Sequence, residues 1–482
     1  MQQTQRLFWK ISTIFIPLIF LLVSTVSADD FQDGMTAFRA GNYTQAAEKF
    51  QAVADAGKED WRAFSWLGTA RLNAGQYELA EKAFQEALRI NPKRPEIHNN
   101  LGAALLAQKK APEAEQEYNE ALKLKPDFAD AHYNLANLLA NQGHYDSAIQ
   151  HYQAALKSNA ANAGIYNNLA LAQMKKGNVA DAIANLRKAI KLSPTQTTFR
   201  YNLALALNQS GNATAAITEL KQLTKDDPND FAALMFLGSL LYQQDSPVGA
   251  AETFAKATAL KPEDGAAYHN LARAQARAGQ MEAAAVSFRK ALELSSPDLL
   301  LLLDAASFYI TQQNWEAAQD ALLKALTVSP TDYEVQAKLA LVYNKLGKNT
   351  EAEEIWLDLS KQRPKDARPV ESLAQLYFDT ERKDLARDQY VKLLQLDPKN
   401  ALAHHNLGLI FEQYGQHKDA LAQFQAAVAV DPKFASAYNN MGVVYEKLGN
   451  LTNAKAAYEK ALAAQPDFAE AKKNLSRLKN PK

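Results

Sequence analysis

Small side chains recur every 34 residues along almost the whole chain. This series contains only glycine and alanine: Gly34, Gly68, Gly102, Ala136, Ala170, Ala204, Gly238, Ala272, Ala306, Ala340, Ala374, Gly408 and Gly442. A second series, twelve residues later, contains only alanine: Ala46, Ala80, Ala114, Ala148, Ala182, Ala216, Ala250, Ala284, Ala318, Ala352, Ala386, Ala420 and Ala454. Four residues after each of these alanines stands a larger apolar side chain, aromatic in most periods. Such strict periodicity predicts a tandem repeat without insertions.

Each period predicts a hairpin of two amphipathic helices. In the period that starts at Trp61, apolar residues recur every three or four positions as far as Gly75, which can adopt the left-handed conformation that ends a helix. A second stretch of this kind ends at Pro92, because proline cannot extend a helix. One hairpin cannot bury its own apolar face, so neighbouring hairpins must stack. The sequence therefore predicts an all-α fold of antiparallel helix hairpins.

With these positions the chain resembles the tetratricopeptide repeat (TPR) family, whose small, alanine, aromatic and proline positions it matches in phase. Prolines close the periods at Pro92, Pro126, Pro194, Pro228, Pro262, Pro330, Pro364, Pro398, Pro432 and Pro466. The resemblance implies a right-handed superhelical solenoid whose first helices line a concave groove. The array is most similar to the repeat region of O-linked N-acetylglucosamine transferases, without a catalytic domain.

The repeat pattern also predicts the domain boundaries. Residues 61–468 form twelve consecutive 34-residue repeats. Residues 29–60 form a divergent first hairpin, in which Asp33 stands where a leucine is expected, as suits an exposed terminal face. Residues 469–482 are polar apart from Leu475 and Leu478, which predicts a C-terminal capping helix.

Residues 1–28 do not follow the repeat. Arg6 and Lys10 precede an apolar run over residues 11–26, and small residues end at Ala28, a pattern typical of a cleaved secretory signal. The alternative is an uncleaved anchor, although a run of about 16 residues is shorter than the roughly 20 of a spanning helix. Both readings predict export, most simply to a bacterial periplasm or cell envelope.

The composition argues against several functions. The chain has 53 basic and 53 acidic residues, so it has no basic surface excess for nucleic acid, and it has no cysteine. No phosphate-binding loop or nucleophile elbow is present, and we expect no catalytic residue, metal, cofactor or small-molecule substrate. His98, His132 and His404 occupy a position that is tyrosine elsewhere, which predicts packing rather than metal binding. His144 and His151 fall in a turn and on the next helix, so a shared metal is not expected.

A row of asparagines is the first candidate site. It comprises Asn100, Asn134, Asn168, Asn202, Asn270, Asn406 and Asn440, with Asn474 continuing the spacing, and we call it the asparagine ladder. An amide offers both a donor and an acceptor, which matches the backbone of an extended peptide. The ladder is similar to the one in the transferase repeats, where it holds peptide backbone. Hydrogen bonding between neighbouring repeats is the alternative.

Apolar residues at predicted groove positions of the central repeats form the second candidate site. They are Met235, Tyr242, Leu300, Leu303, Ile310 and Phe378. An exposed apolar patch often marks a partner site. Because the run Leu299–Leu303 covers all sides of a helix, some of these leucines must instead belong to the core.

Two functions are compatible with these features. The first is an exported, non-catalytic scaffold that binds an extended segment of a partner protein in the groove. The second is an accessory or recognition subunit of an envelope polysaccharide, secretion or glycosyltransferase complex. In both, the partners are proteins or peptides, and a membrane is involved only through an uncleaved N-terminal segment.

Overall fold

The computed structural model describes residues 25–57, 59–296 and 298–479, and every regular element in these ranges is an α-helix. The helices up to the middle of the chain are α1 (Thr25–Arg39), α2 (Tyr43–Ala56), α3 (Trp61–Asn73), α4 (Tyr77–Ile90), α5 (Pro95–Ala107), α6 (Ala111–Leu124), α7 (Ala129–Asn141), α8 (Tyr145–Ser158), α9 (Ala163–Lys176), α10 (Val179–Leu192), α11 (Thr197–Gln209), α12 (Ala213–Asp226) and α13 (Phe231–Gln243). The remaining helices are α14 (Pro247–Leu260), α15 (Gly265–Arg277), α16 (Met281–Leu294), α17 (Leu299–Thr311), α18 (Trp315–Val328), α19 (Tyr333–Lys345), α20 (Asn349–Gln362), α21 (Ala367–Asp379), α22 (Lys383–Leu396), α23 (Ala401–Gln413), α24 (His417–Val430), α25 (Ala435–Lys447), α26 (Leu451–Ala464) and α27 (Ala469–Lys479). The predicted all-α fold is confirmed.

The helices pack in chain order within two compact units, Met1–Leu237 and Gly238–Lys482. Within each unit, the first helix of a hairpin is odd-numbered and packs against the even-numbered second helix that follows it. First helices of adjacent hairpins also touch, as α5 does with α7 and α7 with α9 in the first unit, and α15 with α17 in the second. The first helices of a unit therefore lie side by side in one layer.

Capping residues set the ends of the helices. Oδ1 of Asp264 accepts from the backbone N–H of Ala267 at 2.8 Å, and Asn400 caps α23 in the same way. Such side chains satisfy N–H groups that have no partner within the helix. At the other end, Gly75 has a φ of 76°, which confirms the left-handed residue predicted there. Four repeats hold another residue in that conformation: Lys109, Asp245, Gln313 and Glu381.

The glycine series makes room for aromatic rings within each hairpin. A Cβ added to Gly68 would lie 2.7 Å from Cδ1 and Cε1 of Phe84, so only glycine fits against this ring. All six glycines of the series face an aromatic residue in this way. The seven alanines are followed 16 residues later by leucine in three hairpins, as Ala170 is by Leu186, and by an aromatic residue in four, as Ala272 is by Phe288. Phe84 also joins the core cluster that contains Ile97 and Leu101 of the next hairpin. The large residue thus packs both within and between hairpins.

The two ends of the array differ in how much the structure describes. Helix α1 begins at Thr25, four residues before the start of the predicted first hairpin. The rest of the predicted leader, residues 1–24, lies outside the described residues. Within the described ranges, no helix is both long enough and apolar enough to cross a bilayer. At the other end, α27 packs against α26, and Leu475 is buried beside Ala454 and Tyr458.

Candidate protein-interaction face

Asparagines of the ladder form hydrogen bonds to the preceding repeat. In five cases Nδ2 donates to a side chain 35 residues earlier, on the previous first helix: Asn134 to Asn99 (2.9 Å), Asn168 to Tyr133 (3.1 Å), Asn202 to Asn167 (2.7 Å), Asn440 to His405 (3.0 Å) and Asn474 to Asn439 (3.1 Å). The bond always joins two hairpins. Hydrogen bonding between repeats is therefore one role of the ladder, and contact with a partner stays a prediction. In each unit, we call the surface that the ladder side chains form the first-helix face.

Asn168 lies at the centre of a polar cluster in the first unit. Its Nδ2 donates to the Tyr133 hydroxyl at 3.1 Å and to Oδ1 of Asn137 at 3.0 Å. Its Oδ1 accepts from Asn167 at 3.0 Å. Tyr152, on the second helix α8, donates to the same Asn137 oxygen at 2.6 Å. Burial raises the pKa of Tyr133, although hydrogen bonds with the two asparagines oppose the shift. The phenol therefore stays neutral, and the Asn168 amide is largely used within the protein.

The second unit repeats this arrangement around Asn406. Its Nδ2 donates to the Tyr390 hydroxyl at 2.9 Å, and Tyr390 donates to Oε1 of Gln375 at 3.2 Å. Burial raises the pKa of Tyr390 to about 12. Tyr390 stands on the second helix α22 and Gln375 on the first helix α21, so the network ties both helices of one hairpin to the next.

The ladder amides differ in what they leave available to a ligand. Asn202 and Asn406 are buried, whereas Asn100, Asn134, Asn168, Asn270 and Asn440 are half-buried. Asn134 donates to Asn99, which donates in turn to Oδ1 of Asn100 at 3.3 Å. Among the described residues, Oδ1 of Asn134 and Nδ2 of Asn100 have no protein partner. The two adjacent repeats of Asn100 and Asn134 thus present one free donor, on Asn100, and one free acceptor, on Asn134.

At two positions where another residue replaces the ladder asparagine, a different contact joins the same two helices. Phe236 contacts Tyr201, 35 residues earlier, with ring centroids 5.9 Å apart. In the second unit, Oδ2 of Asp304 lies 2.9 Å from Nε2 of His269 and 3.2 Å from Nε of Arg273. At these two positions the contact between repeats is therefore retained, while its chemistry changes from an amide pair to an aromatic pair or an ion pair.

The predicted apolar patch is only partly exposed. Leu300 is 57% exposed, whereas Leu303 and Ile310 are half-buried against the core cluster of α15–α19. Leu301 and Leu302 lie within that cluster, as expected for part of the leucine run. These leucines share one helix, so their spacing in the sequence could not separate core from surface.

The other three residues of the patch are half-buried and in separate surroundings. Tyr242 lies beneath the guanidinium groups of Arg273 and Arg277, at 5.2 Å and 5.1 Å from its ring centroid. Phe378 packs edge-on against Tyr390, and Met235 belongs to the first unit, whereas the other five belong to the second. Within the patch, Leu300 is the side chain that a partner would reach most readily.

Sequence reasoning missed two exposed leucines on the first-helix face. Leu171 is 37% exposed and follows Asn168 by three residues, which places it one turn along the same face of α9. Leu341 is exposed at the equivalent place on α19. Their place in the repeat was a signal that could have identified them. Both leucines stand three residues after the ladder position, and other repeats have a polar residue there, such as Asn137 or Gln375.

Three histidines link the two helices of their hairpins. Nε2 of each lies 3.0–3.2 Å from the carbonyl oxygen of the proline six residues earlier. Nδ1 contacts a second-helix side chain 19 residues later: His98 with Glu117 (2.6 Å), His132 with His151 (2.9 Å) and His404 with Gln423 (2.7 Å). His151 therefore pairs with His132 rather than His144, a spacing that sequence reasoning did not test. In the described part of the chain, no three potential metal ligands cluster.

Comparison with known protein families finds repeat models along both halves of the chain. Models described as tetratricopeptide repeat match residues 31–95, 67–129, 99–163, 133–197, 173–240 and 435–468, and one described as TPR repeat matches 374–415 and 413–449. A model described as coatomer epsilon subunit matches residues 266–375. The tetratricopeptide models together cover more than half of the chain. No curated protein matches it significantly.

Several solved structures are similar to parts of the chain. YrrB, described as a TPR protein with an unusual peptide-binding site, is 23% identical with a TM-score of 0.36, covering 39% of this chain and 97% of its own. PilW, described as a widely conserved type IV pilus biogenesis factor, is 23% identical with a TM-score of 0.40, covering 43% and 96%. A TPR repeat-containing protein from Cytophaga hutchinsonii is 16% identical with a TM-score of 0.42, covering 58% and 99%.

Proposed function

Because the chain belongs to the tetratricopeptide repeat family, whose repeats mediate protein interactions, we propose that it is an exported, non-catalytic scaffold that holds an extended segment of a partner protein on its first-helix face. The family match supports the interaction role, and no family model of an enzyme is among the matches. The extended form of the ligand, its site and the export are the parts that we propose.

The pair Asn100 and Asn134 carries the proposal. The free donor of one amide and the free acceptor of the other stand on adjacent first helices, α5 and α7, which contact each other. An extended backbone presents C=O and N–H groups that can pair with such amides whatever its sequence. The hydrogen-bonded chain from Asn134 through Asn99 to Asn100 holds both amides in place, so they need little reordering on binding.

Exposed leucines next to the ladder supply the apolar part of such a site. Leu171 stands one turn from Asn168 on α9, and Leu341 takes the equivalent place in the second unit. In the first unit, a partner segment can therefore place an apolar side chain on Leu171 while its backbone pairs with the amides. Ligand sites commonly combine an apolar lining with a few fixed polar groups.

Photo-cross-linking in cells tests the site directly. A photoreactive residue replaces Leu171, which is 37% exposed on first helix α9, and in a control it replaces Leu192, which is 42% exposed at the end of second helix α10. We expect a discrete adduct from position 171, mapped by mass spectrometry to an unfolded segment of one protein. Equal adducts from both positions, or adducts from position 192 alone, would refute binding on the first-helix face.

Alanine at Asn134 provides a second readout. The variant removes the free acceptor and should weaken capture of the cross-linked segment. It also removes the donor to the buried oxygen of Asn99, so capture is measured well below the thermal transition of the variant. Stoichiometric co-purification with a synthase or transferase would identify the chain as a recognition subunit of that enzyme. Capture unchanged by Asn134→Ala would count against the amide pair.

Export rests on residues 1–28 and is tested separately. N-terminal sequencing of the protein from cell fractions should find either a mature chain that begins after Ala28 or an unprocessed chain in the membrane fraction. The basic residues before the apolar run favour translocation of the repeats in both cases. Recovery of the full chain in the cytosolic fraction would contradict export without affecting the binding site.

A further inference from the structure

The buried hydroxyl group of Tyr118 has no hydrogen-bond partner among the described residues. Tyr118 stands on second helix α6, and its side chain is fully buried. A buried hydroxyl that forms no hydrogen bond costs free energy, because it has lost its contacts with water and gained none in return. Such groups are rare in folded proteins, so this one requires a specific explanation.

The other tyrosines at this repeat position all have a partner within their own hairpin. Each donates from its hydroxyl to a side chain of the first helix: Tyr152 to Asn137 (2.6 Å), Tyr390 to Gln375 (3.2 Å) and Tyr458 to Glu446. In the hairpin of Tyr118, Ala103 stands at the position of the two amides and Leu106 at the position of the carboxylate. This hairpin therefore keeps the tyrosine but lacks the acceptor that accompanies it elsewhere.

The hydroxyl end of Tyr118 lies against first helix α5 next to Ala103. A Cβ added to Gly102 would be 3.1 Å from Cζ of Tyr118, the ring carbon that carries the hydroxyl. Ala103 is half-buried and stands three residues after Asn100, which places it one turn along the first-helix face. The position that supplies a carboxamide to the tyrosine in equivalent hairpins thus belongs to the face on which we propose that the partner binds.

In the next hairpin the carboxamide is the middle member of a cluster of three side chains. Oδ1 of Asn137 accepts from the Tyr152 hydroxyl at 2.6 Å and from Nδ2 of Asn168 at 3.0 Å. The outer members of the equivalent cluster one repeat earlier are Tyr118 and Asn134. Both are present, and they offer an unpaired hydroxyl donor and the free amide acceptor described above. Only the middle member is missing.

We infer that an asparagine or glutamine side chain of the partner segment binds over Ala103 and supplies the missing carboxamide. Its oxygen accepts from the Tyr118 hydroxyl, and its NH2 group donates to Oδ1 of Asn134. An amide oxygen can accept two hydrogen bonds, so Asn134 can also pair with the backbone of the segment. The inference rests on the proposed function, to which it adds a preference for one type of side chain.

A carboxamide matches the chemistry of both free groups. It carries an acceptor and two donors, whereas a carboxylate only accepts and an ammonium group only donates. A carboxylate would also bring an unpaired charge to a buried phenol, at a high cost in desolvation. Solvent does not reach the Tyr118 hydroxyl in the structure, so side chains beside Ala103 must shift as the carboxamide enters. A site that pairs buried polar groups with a ligand discriminates against ligands that leave them unpaired.

Selection from a displayed library of short, unstructured peptides tests the preference against the full-length protein. We expect the selected peptides to share asparagine or glutamine at one position. In synthetic versions of one such peptide, leucine or glutamate at that position should weaken binding about tenfold, measured by fluorescence anisotropy. Selected peptides without a shared carboxamide would overturn the inference and leave the proposed function standing. Failure to select any peptide would contradict the proposed function, and the inference with it.

Two tyrosine variants assign the preference to the unpaired hydroxyl. Tyr118→Phe removes a hydroxyl that has no partner, so the melting temperature should stay the same or rise, while the selected peptide binds about tenfold more weakly. Tyr458→Phe is the matched control, because it removes a hydroxyl that donates to the Glu446 carboxylate. It should lower the melting temperature and leave peptide binding unchanged. Equal effects of the two variants on peptide binding would overturn the inference.

A third variant supplies the missing carboxamide from the chain itself. Ala103→Asn recreates the residue type of Asn137 beside Tyr118, so it should raise the melting temperature of the free protein. The same variant should abolish the preference for asparagine or glutamine in the peptide, because the hydroxyl is then already paired. A preference that survives Ala103→Asn would overturn the inference, since the carboxamide of the peptide would then bind elsewhere.

Discussion

Asn202 donates a 2.7 Å hydrogen bond from Nδ2 to Oδ1 of Asn167, and both amides are buried. The two residues are 35 positions apart and lie on adjacent first helices, α11 and α9. A buried amide that loses its partner keeps the full cost of its desolvation. At this pair the ladder therefore contributes to the stability of the array, whatever else its other members bind.

Replacing Asn202 with alanine should destabilise the first unit. The buried oxygen of Asn167 loses its donor, and we expect the free energy of unfolding to fall by about 1–3 kcal/mol. Asn270→Ala, at a half-buried ladder site whose amide has no partner among the described residues, should cost clearly less, and urea denaturation of both variants measures the difference. A double-mutant cycle with Asn167→Ala should show strong coupling. Additive losses in that cycle would contradict a specific bond between repeats.

The packing of Phe84 against Gly68 leads to a second prediction. A Cβ at position 68 would lie 2.7 Å from two ring carbons, so Gly68→Ala should cost about 1–3 kcal/mol through overpacking. Adding Phe84→Leu should recover part of this loss, because the chain itself pairs alanine with leucine at Ala170 and Leu186. Denaturation midpoints of the two single variants and the double variant measure the recovery.

The reverse exchange is the matched control. Ala170 stands opposite a leucine rather than an aromatic ring. Ala170→Gly should therefore lower the free energy of unfolding by about 1 kcal/mol, the ordinary cost of glycine within a helix. If Phe84→Leu made Gly68→Ala worse instead of better, the size relation between the two positions would not determine the residue type.

The sequence predicted the fold because every repeat position has a fixed packing task. The positions of Gly68 and Ala80 both require a small side chain in every hairpin, so a 34-residue count identified them without coordinates. The hydrogen bonds between repeats follow a spacing of 35, because side chains one place apart on adjacent helices come to lie side by side. That offset depends on how the hairpins stack, which composition and period do not determine.

The candidate site was less predictable for the same reason. A run such as Leu299–Leu303 places leucine on every side of one helix, and only the neighbouring helices decide that Leu301 is core and Leu300 is exposed. The pairing of His132 with His151 likewise depends on the angle between α7 and α8. The sequence identifies the residue types at a site, whereas their partners depend on packing.

The ion pair between His98 and Glu117 predicts that stability decreases at higher pH. Burial by itself would lower the pKa of His98, but the hydrogen bonds with Glu117 and the Pro92 carbonyl outweigh it, and the pKa is raised. This stabilisation is full below the unfolded pKa of about 6.5 and is lost as pH rises through the folded pKa. Glu117→Gln should flatten the dependence, measured as the melting temperature against pH.

The neighbouring pair of His132 and His151 should act in the opposite direction. Burial, and then the charge of His132, lower the pKa of His151 in the folded state. Its contribution is therefore present above the unfolded pKa of about 6.5 and is lost as pH falls through the folded pKa. His151→Gln should remove this acid sensitivity, and Gln423 already fills the equivalent place beside His404. If the melting temperature of His151→Gln fell with decreasing pH as much as that of the wild type, the predicted contribution of His151 would be contradicted.

Four repeats end their first helix with a residue other than glycine in the left-handed conformation. Lys109 has a φ of 64° and Glu381 a φ of 57°, where the equivalent Gly177 has 85°. A side chain with a Cβ costs free energy there, because Cβ approaches the following carbonyl oxygen. Lys109→Gly should therefore raise the free energy of unfolding by several tenths of a kcal/mol to about 1 kcal/mol, after the larger backbone entropy of glycine in the unfolded chain is subtracted.

The reverse substitution provides the test of sign. Gly177→Ala should destabilise the first unit by about 1 kcal/mol, although no atom lies within 4 Å of the added Cβ, because its backbone conformation alone is unfavourable. Denaturant unfolding of Lys109→Gly and Gly177→Ala under the same conditions should thus show shifts of opposite sign. Since neither change creates a steric clash, two shifts in the same direction would mean that the left-handed turn does not limit the stability of these hairpins.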